Sequence, residues 1–170
     1  RALRLCFGLG APFTGLTSSW APFLVGAASL LKPGGRMAFV VPAEIGHAPY
    51  AAPLLEYLVA RFATVHVVAV RDKLFPELSE DCWLLYADGF GAYTAEIAFS
   101  VLDTFVPMSA PPQQGIKVPL REWRESWNRR LRPFVMPAAV RELYREAVLH
   151  PQTRRFGDMA SVGSGYVTGA

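Results

Sequence analysis

The feature that most constrains this chain is the polar stretch RDKLFPELSED, residues 71–81, set between the apolar runs VHVVAV (65–70) and CWLLYA (82–87). Both runs have the length and the β-branched or aromatic content of buried strands. Eleven residues are too few for a helical crossover, so the two runs must form an antiparallel hairpin. The rest of the chain is built around that pair.

Upstream, FLVGAASLLKPGGRMAFVVPAE (23–44) joins a helix, a Pro-Gly-Gly turn and a wholly apolar run that stops at a proline. Ser18 or Ser19 is placed to cap a helix over about Trp20 to Leu31, with Pro22 in its first turn, where a missing N–H is tolerated. Trp20, Phe23, Ala27 and Leu30 or Leu31 then share one face. RMAFVVP (36–42) reads as a strand buried on both faces of a parallel sheet. A second helix spans about Ala51 to Phe62, with Leu54, Leu55, Leu58, Val59 and Phe62 at helical spacing, and EIAFSVL (96–102) is a fourth strand. This order is that of an α/β fold. The expectation is a partial doubly wound, mostly parallel sheet in which 36–42 and 65–70 are adjacent and parallel. It ends in the antiparallel hairpin and is followed by a basic helical segment.

Charge divides the chain. Residues 1–116 carry 7 Lys/Arg against 9 Asp/Glu, whereas residues 117–155 carry 10 against 4. A neutral-to-acidic body with a basic second part suggests an anionic partner, although a solvated helix face accounts for the charges equally well. PMSAPPQQG (107–115) has linker composition, REWRESWNRRLRPF (121–134) is basic, and a helix follows near Pro137–Leu149. Trp123 and Trp127 stand at i, i+4 among arginines, where they either stack bases or pack a helix on the core; packing is the commoner use.

Other features exclude more than they assign. Cys6 and Cys82 are too few and too far apart for a disulfide framework or a metal knuckle, which points to a reducing cytoplasm. His47, His66 and His150 lack metal-ligand spacing, so no metal is expected. Gly8 and Gly10 have no strand before them or helix after them, and GSGYVTG lacks the spacing of a dinucleotide fingerprint. Asp72, Glu80 and Asp81 read as solvated loop charges. No apolar run approaches the roughly 18–20 residues of a membrane span. The chain begins with Arg and ends on GYVTGA, and is read as an internal piece of a longer protein.

Three stretches together carry a resemblance. FLVGAASLLKPGGRMAFVVPAE, LFPELSEDCWLLYADG (74–89) and the closing MASVGSGYVTGA (159–170) resemble adenine-specific DNA methyltransferases of the restriction–modification type. The match covers most of residues 17–90 and then 156–170. That resemblance implies a class I, Rossmann-like catalytic domain whose last strand is antiparallel, with S-adenosylmethionine as cofactor and double-stranded DNA as partner. It divides the chain into the C-terminal half of a catalytic domain (1–106), a linker (107–120), a basic helical connector (121–155) and the start of a target-recognition domain (156–170). The family's cofactor loop and its catalytic Asn-Pro-Pro-Tyr motif are not in this sequence and are expected upstream of Arg1, so no catalytic residue is assigned here.

Two positions carry over. Phe23 matches the aromatic that packs on the adenine ring of the cofactor, although its spacing also suits a core phenylalanine. Phe75, in LFPE, matches the aromatic on which the flipped target adenine rests, the alternative being an anchor for its loop. Two other classes compete. A nicotinamide-dependent dehydrogenase half requires helical crossovers between all its strands, which residues 71–81 are too short to supply. A non-catalytic DNA-binding or specificity segment fits the basic tail, and a methyltransferase of another substrate class fits LLKPGG alone.

Overall fold

The structure, a computed structural model, describes residues 2–15, 17–161 and 163. They fall into two compact units, one ending at Met136 and the other beginning at Pro137. The second unit holds the helices Ala138–Leu149 and Phe156–Met159. Residues 164–170, which carry the GYVTGA part of the resemblance, lie outside the described residues.

The first unit runs α1 (Ala2–Gly8), α2 (Trp20–Ser29), β1 (Arg36–Pro42), a 3-10 turn (Ala43–Gly46) and α3 (Ala51–Val59). It continues through β2 (Phe62–Val70), β3 (Cys82–Phe90), β4 (Glu96–Leu102), β5 (Ile116–Pro119), α4 (Leu120–Glu125) and a 3-10 turn (Arg132–Val135). The strands form one sheet in the order β1-β3-β2-β4-β5.

That order corrects the expected mostly parallel, doubly wound sheet. β3 pairs antiparallel with both β1 and β2, β4 pairs antiparallel with β5, and only β2 and β4 are parallel. The short loop 71–81 does produce the β2–β3 hairpin, but β3 returns on the β1 side and separates β1 from β2. Its register sets Phe39 and Val67 on either side of Leu85. The two codirectional strands joined through α3 therefore stand one strand apart instead of adjacent. Apolar content shows that a strand is covered; it does not show which way its neighbour runs.

β1 is also less buried than its composition implies. Met37 and Phe39 pack on the core, whereas Val40, on the other face, is 50% exposed. Among the described residues β1 has a single sheet neighbour, so its second edge is open. The turn into it needs glycine twice. Gly34 sits at φ +76°, and a Cβ on Gly35 would lie 2.8 Å from the Lys32 carbonyl oxygen. Gly34 N–H bonds the Phe90 carbonyl and Phe90 N–H bonds the Gly35 carbonyl, clamping this turn to the end of β3.

The core lies on the sheet face covered by the helices. α3 buries Leu54, Leu55, Leu58 and Val59, as its spacing predicts, while Phe62 already belongs to β2. α2 buries Ala21, Leu24, Val25 and Ala28, a face rotated from the expected one and leaving Phe23 and Leu30 exposed. After β5, Trp123, Trp127, Leu131 and Phe134 fold onto the same face; burying an aliphatic or phenyl side chain of this size stabilises by roughly 1.5–3 kcal/mol. Ring contacts run from Trp83 to Phe99 at 5.8 Å, to Phe134 at 6.0 Å and to Trp127 at 5.2 Å. The two tryptophans are core residues.

Candidate functional site

β1, β2 and β4 point the same way, so the segments after Pro42, Val70 and Leu102 gather at one end of the sheet. Loop 71–81 stands there. Its base is pinned: Arg71 N–H bonds the Leu102 carbonyl, Asp72 N–H bonds the Asp103 carbonyl, and the Arg71 guanidinium meets the Asp103 carboxylate at 2.9 Å. The Thr104 hydroxyl donates to Asp72 at 2.7 Å, and Leu74 packs with Val68, Val70 and Leu84 on the second sheet face. Beyond this base, Phe75 is 41% exposed, with Leu78 N–H bonded back to its carbonyl. Anchoring into the core falls to Leu74.

Phe23 lies one turn into α2 and is 64% exposed. Its ring meets Phe39 of β1 edge-on, with centroids 5.9 Å apart and planes at 89°. It is therefore not a core phenylalanine of the described fold. The start of α2 borders the same end of the sheet, because Trp20 packs against Tyr50 at 5.8 Å and Tyr50 follows the turn after β1.

A polar group at this end went unread in the sequence. The Tyr50 hydroxyl donates to the Glu44 carboxylate, just beyond β1. Burial first, and then the Glu44 carboxylate, push the Tyr50 phenol above its ordinary range, so it stays a protonated donor. The position of Glu44 directly after an apolar strand end was the only local signal.

Glu56 was missed for a different reason: its partners lie far away in sequence. Its carboxylate accepts from Arg124 at 2.9 and 2.6 Å and from Arg129 at 3.4 Å. The Arg124 hydrogen bonds, outweighing burial, hold Glu56 below the usual carboxylate range. Beside it opens a cleft of about 740 Å³ lined by Arg61, Arg129, Tyr57 and several prolines.

The histidines do not converge. His47 is exposed at the site end, and His66 is buried under the segment that leads into β5. The Ser100 hydroxyl donates to the Gln114 carbonyl at 2.8 Å, so its oxygen accepts from His66 Nε2–H at 2.8 Å. His66 lines a second cleft, of about 450 Å³, over Ala38, Tyr86 and Ala98. Among the described residues no group of three or more His, Cys, Asp or Glu side chains is placed to hold a metal ion, and no helix is long and apolar enough to cross a membrane.

No protein-family model matches the sequence, and no curated protein matches it. Solved structures do. The type IIG restriction endonuclease BpuSI aligns with a TM-score of 0.56 at 20% identity, over 78% of this chain and 18% of its own. A modification subunit of a putative type I restriction enzyme from Vibrio vulnificus YJ016 aligns with a TM-score of 0.46 at 23% identity, over 71% of this chain and 27% of its own. The ATP-dependent type ISP restriction-modification enzyme LlaBIII, bound to DNA, aligns with a TM-score of 0.44 at 9% identity, over 59% and 8%. The chain thus spans about a fifth of the BpuSI endonuclease, and it shares its fold with that part of the enzyme.

Proposed function

We propose that this chain is the C-terminal half of the catalytic domain of an adenine-specific DNA methyltransferase of the restriction–modification type. In this reading the chain leads on to the start of a target-recognition domain (156–170). Within the expected linker (107–120) residues 116–119 form β5 of the sheet, and the expected basic connector (121–155) belongs as far as Met136 to the first compact unit. The assembled enzyme transfers a methyl group from S-adenosylmethionine to the exocyclic amine of adenine in duplex DNA. The observation that carries the reading is the open apolar edge of β1, with the exposed Phe23 set against Phe39 of that strand and the exposed Phe75 on the loop at the same end of the sheet. Between Met37 and Pro42 that edge has no charged guard residue, so another strand completes it. A sheet continued beyond β1 has room for the cofactor loop and catalytic motif that this chain lacks.

Phe23 fits the cofactor role, since its edge contact with Phe39 leaves a flat face open at the start of α2. It holds the cofactor's adenine by stacking, worth about 1 kcal/mol beyond area burial. S-adenosylmethionine, when bound, supplies the electrophilic methyl group. Phe75 receives the target base: an adenine turned out of the duplex loses its stack and regains part of it on the exposed ring. The hydrogen bonds at the base of loop 71–81 hold that ring in place while Pro76 stiffens the tip.

The test joins this chain to the segment that precedes it in its gene and titrates S-adenosylmethionine by calorimetry. The isolated chain binds weakly at most and transfers no methyl group. In the joined protein Phe23→Ala weakens cofactor binding about fivefold, the equivalent of one lost stack. Equal affinities in the two joined proteins contradict the assignment of Phe23. A joined protein that binds no cofactor contradicts the whole reading.

A further inference from the structure

Between Arg121 and Phe134 the tryptophans and the arginines part company. Trp123 and Trp127 are 0% and 4% exposed, whereas Arg121, Arg124, Arg129, Arg130 and Arg132 all face solvent. Carboxylates account for three of the five. Arg121 pairs with Glu125 at 3.1 Å, and Arg124 and Arg129 pair with Glu56. Arg130 has no side-chain partner among the described residues. Arg132 reaches no carboxylate there, its Nη1 lying 3.5 Å from His47 Nδ1.

The backbone presenting these two arginines is held in an uncommon shape. Asn128 and Arg129 are consecutive left-handed residues, at φ 48° and 56°, a conformation that asparagine tolerates and arginine does not favour. Such a turn persists when its surroundings over-determine it. Here Arg129 N–H bonds the Trp123 carbonyl at 2.8 Å and Arg130 N–H bonds the Trp127 carbonyl at 2.9 Å. Leu131 N–H bonds the Gly46 carbonyl at 2.8 Å, and Glu56 grips Arg124 and Arg129 from the side. Gly46 is itself fixed, since a Cβ there would lie 2.6 Å from the Trp83 ring. The bond to Gly46 ties the turn to the segment just beyond β1, at the end of the sheet that carries loop 71–81.

We propose that Arg130 and Arg132 form a phosphate-contacting turn that seats the backbone of duplex DNA beside the loop carrying Phe75. The proposal rests on the methyltransferase reading and adds to it the surface that positions the duplex. Guanidinium groups stay charged at all working pH values and offer a fork of donors to phosphate oxygens. Two of them on a fixed turn neutralise two phosphates and set the register of the duplex without reading its sequence. Glu56 and Glu125 offset the neighbouring arginines, which leaves the positive charge at positions 130 and 132.

The experiment measures binding of a fluorescein-labelled DNA duplex to the full chain by anisotropy across a salt series, with melting temperature as the check on folding. The wild-type affinity falls linearly with the logarithm of salt concentration. The double variant Arg130→Gln/Arg132→Gln flattens that slope by about 1.8, or 0.9 per phosphate, at unchanged melting temperature. Arg130→Lys/Arg132→Lys keeps the wild-type slope because it keeps the charge. Arg36→Gln, at the opposite end of β1, keeps it as well. A glutamine double variant with the wild-type slope overturns this surface and leaves the DNA reading standing. A wild-type chain that binds no duplex overturns both, and tighter binding of single-stranded RNA overturns the commitment to duplex DNA.

Discussion

Glu56 on α3 and Arg124 on α4, 68 residues apart in sequence, meet through two hydrogen bonds of 2.9 and 2.6 Å. The pair joins the helix that crosses between β1 and β2 to the segment that follows β5. Replacing Glu56 with Gln removes the charge and leaves Arg124 and Arg129 facing each other. Near neutral pH this destabilises by about 1 kcal/mol, since solvent screens a pair that is partly exposed. The pH dependence has a definite sign. Glu56 is held below its ordinary value, so its contribution is complete above the unfolded carboxylate range near pH 4.3 and is lost as pH falls through the lower folded value. Melting curves of wild type and Glu56→Gln therefore differ at neutral pH and converge in acid. A constant difference across that range contradicts the ion-pair account.

His66 gives the opposite case, a base kept neutral. Burial lowers its pKa, so the folded state resists the proton that the unfolded state accepts near pH 6.5. Stability is complete above that value and declines as pH falls toward the lower folded one. Asp88, Glu96 and Lys117 line the adjoining cleft without reversing the direction. His66→Gln should flatten the melting-temperature profile between about pH 5 and pH 7. A profile as steep as that of the wild type would assign the slope to other groups.

Gly115 tests how closely the segment into β5 lies on the sheet. A Cβ there would stand 2.6 Å from Ser100 Oγ and 3.1 Å from the Phe99 carbonyl oxygen. Gly115→Ala should destabilise by about 1–3 kcal/mol, the usual range for overpacking. Ser100→Ala removes the nearer obstacle, so the double variant should lose less than the two single variants together. Strict additivity in thermal melts would show that the segment relaxes away from Ser100.

Phe75 separates a surface role from a structural one. Because the ring is 41% exposed and Leu74 packs the loop, Phe75→Ala should barely move the melting temperature. In the joined enzyme it should slow methylation roughly tenfold to a hundredfold, since a base–aromatic stack is worth about 1–3 kcal/mol. Phe75→Trp keeps a π-face and much of the activity. The emission of 2-aminopurine at the target position reports flipping directly. An alanine variant that flips normally contradicts the stacking role.

Much of this architecture was legible in local patterns, and the exceptions have physical causes. The short loop 71–81 dictated a hairpin, but nothing in CWLLYA chooses which side of VHVVAV it returns to; β3 entered between β1 and β2. In α2, Trp20/Phe23/Ala27/Leu30 and Ala21/Leu24/Val25/Ala28 both have helical spacing, and periodicity cannot rank them. The packed set includes two alanines, which let the helix lie close to its neighbours, and Phe23 turned outward. RMAFVVP looked buried on both sides because its edge and Val40 are apolar, a property that a strand awaiting a neighbour shares with one already covered. Glu56–Arg124 and His66–Ser100 join residues 68 and 34 positions apart, beyond the reach of any local pattern.

The most direct measurement of the central claim is methyl transfer itself. The joined protein is incubated with S-adenosylmethionine carrying a labelled methyl group and with duplex DNA, which is then digested to nucleosides and analysed by mass spectrometry. The account predicts label on the exocyclic amine of adenine, absent from the reaction of the isolated chain and reduced roughly tenfold to a hundredfold by Phe75→Ala. A joined protein that binds cofactor and duplex yet labels no adenine, or labels only another base, would contradict it.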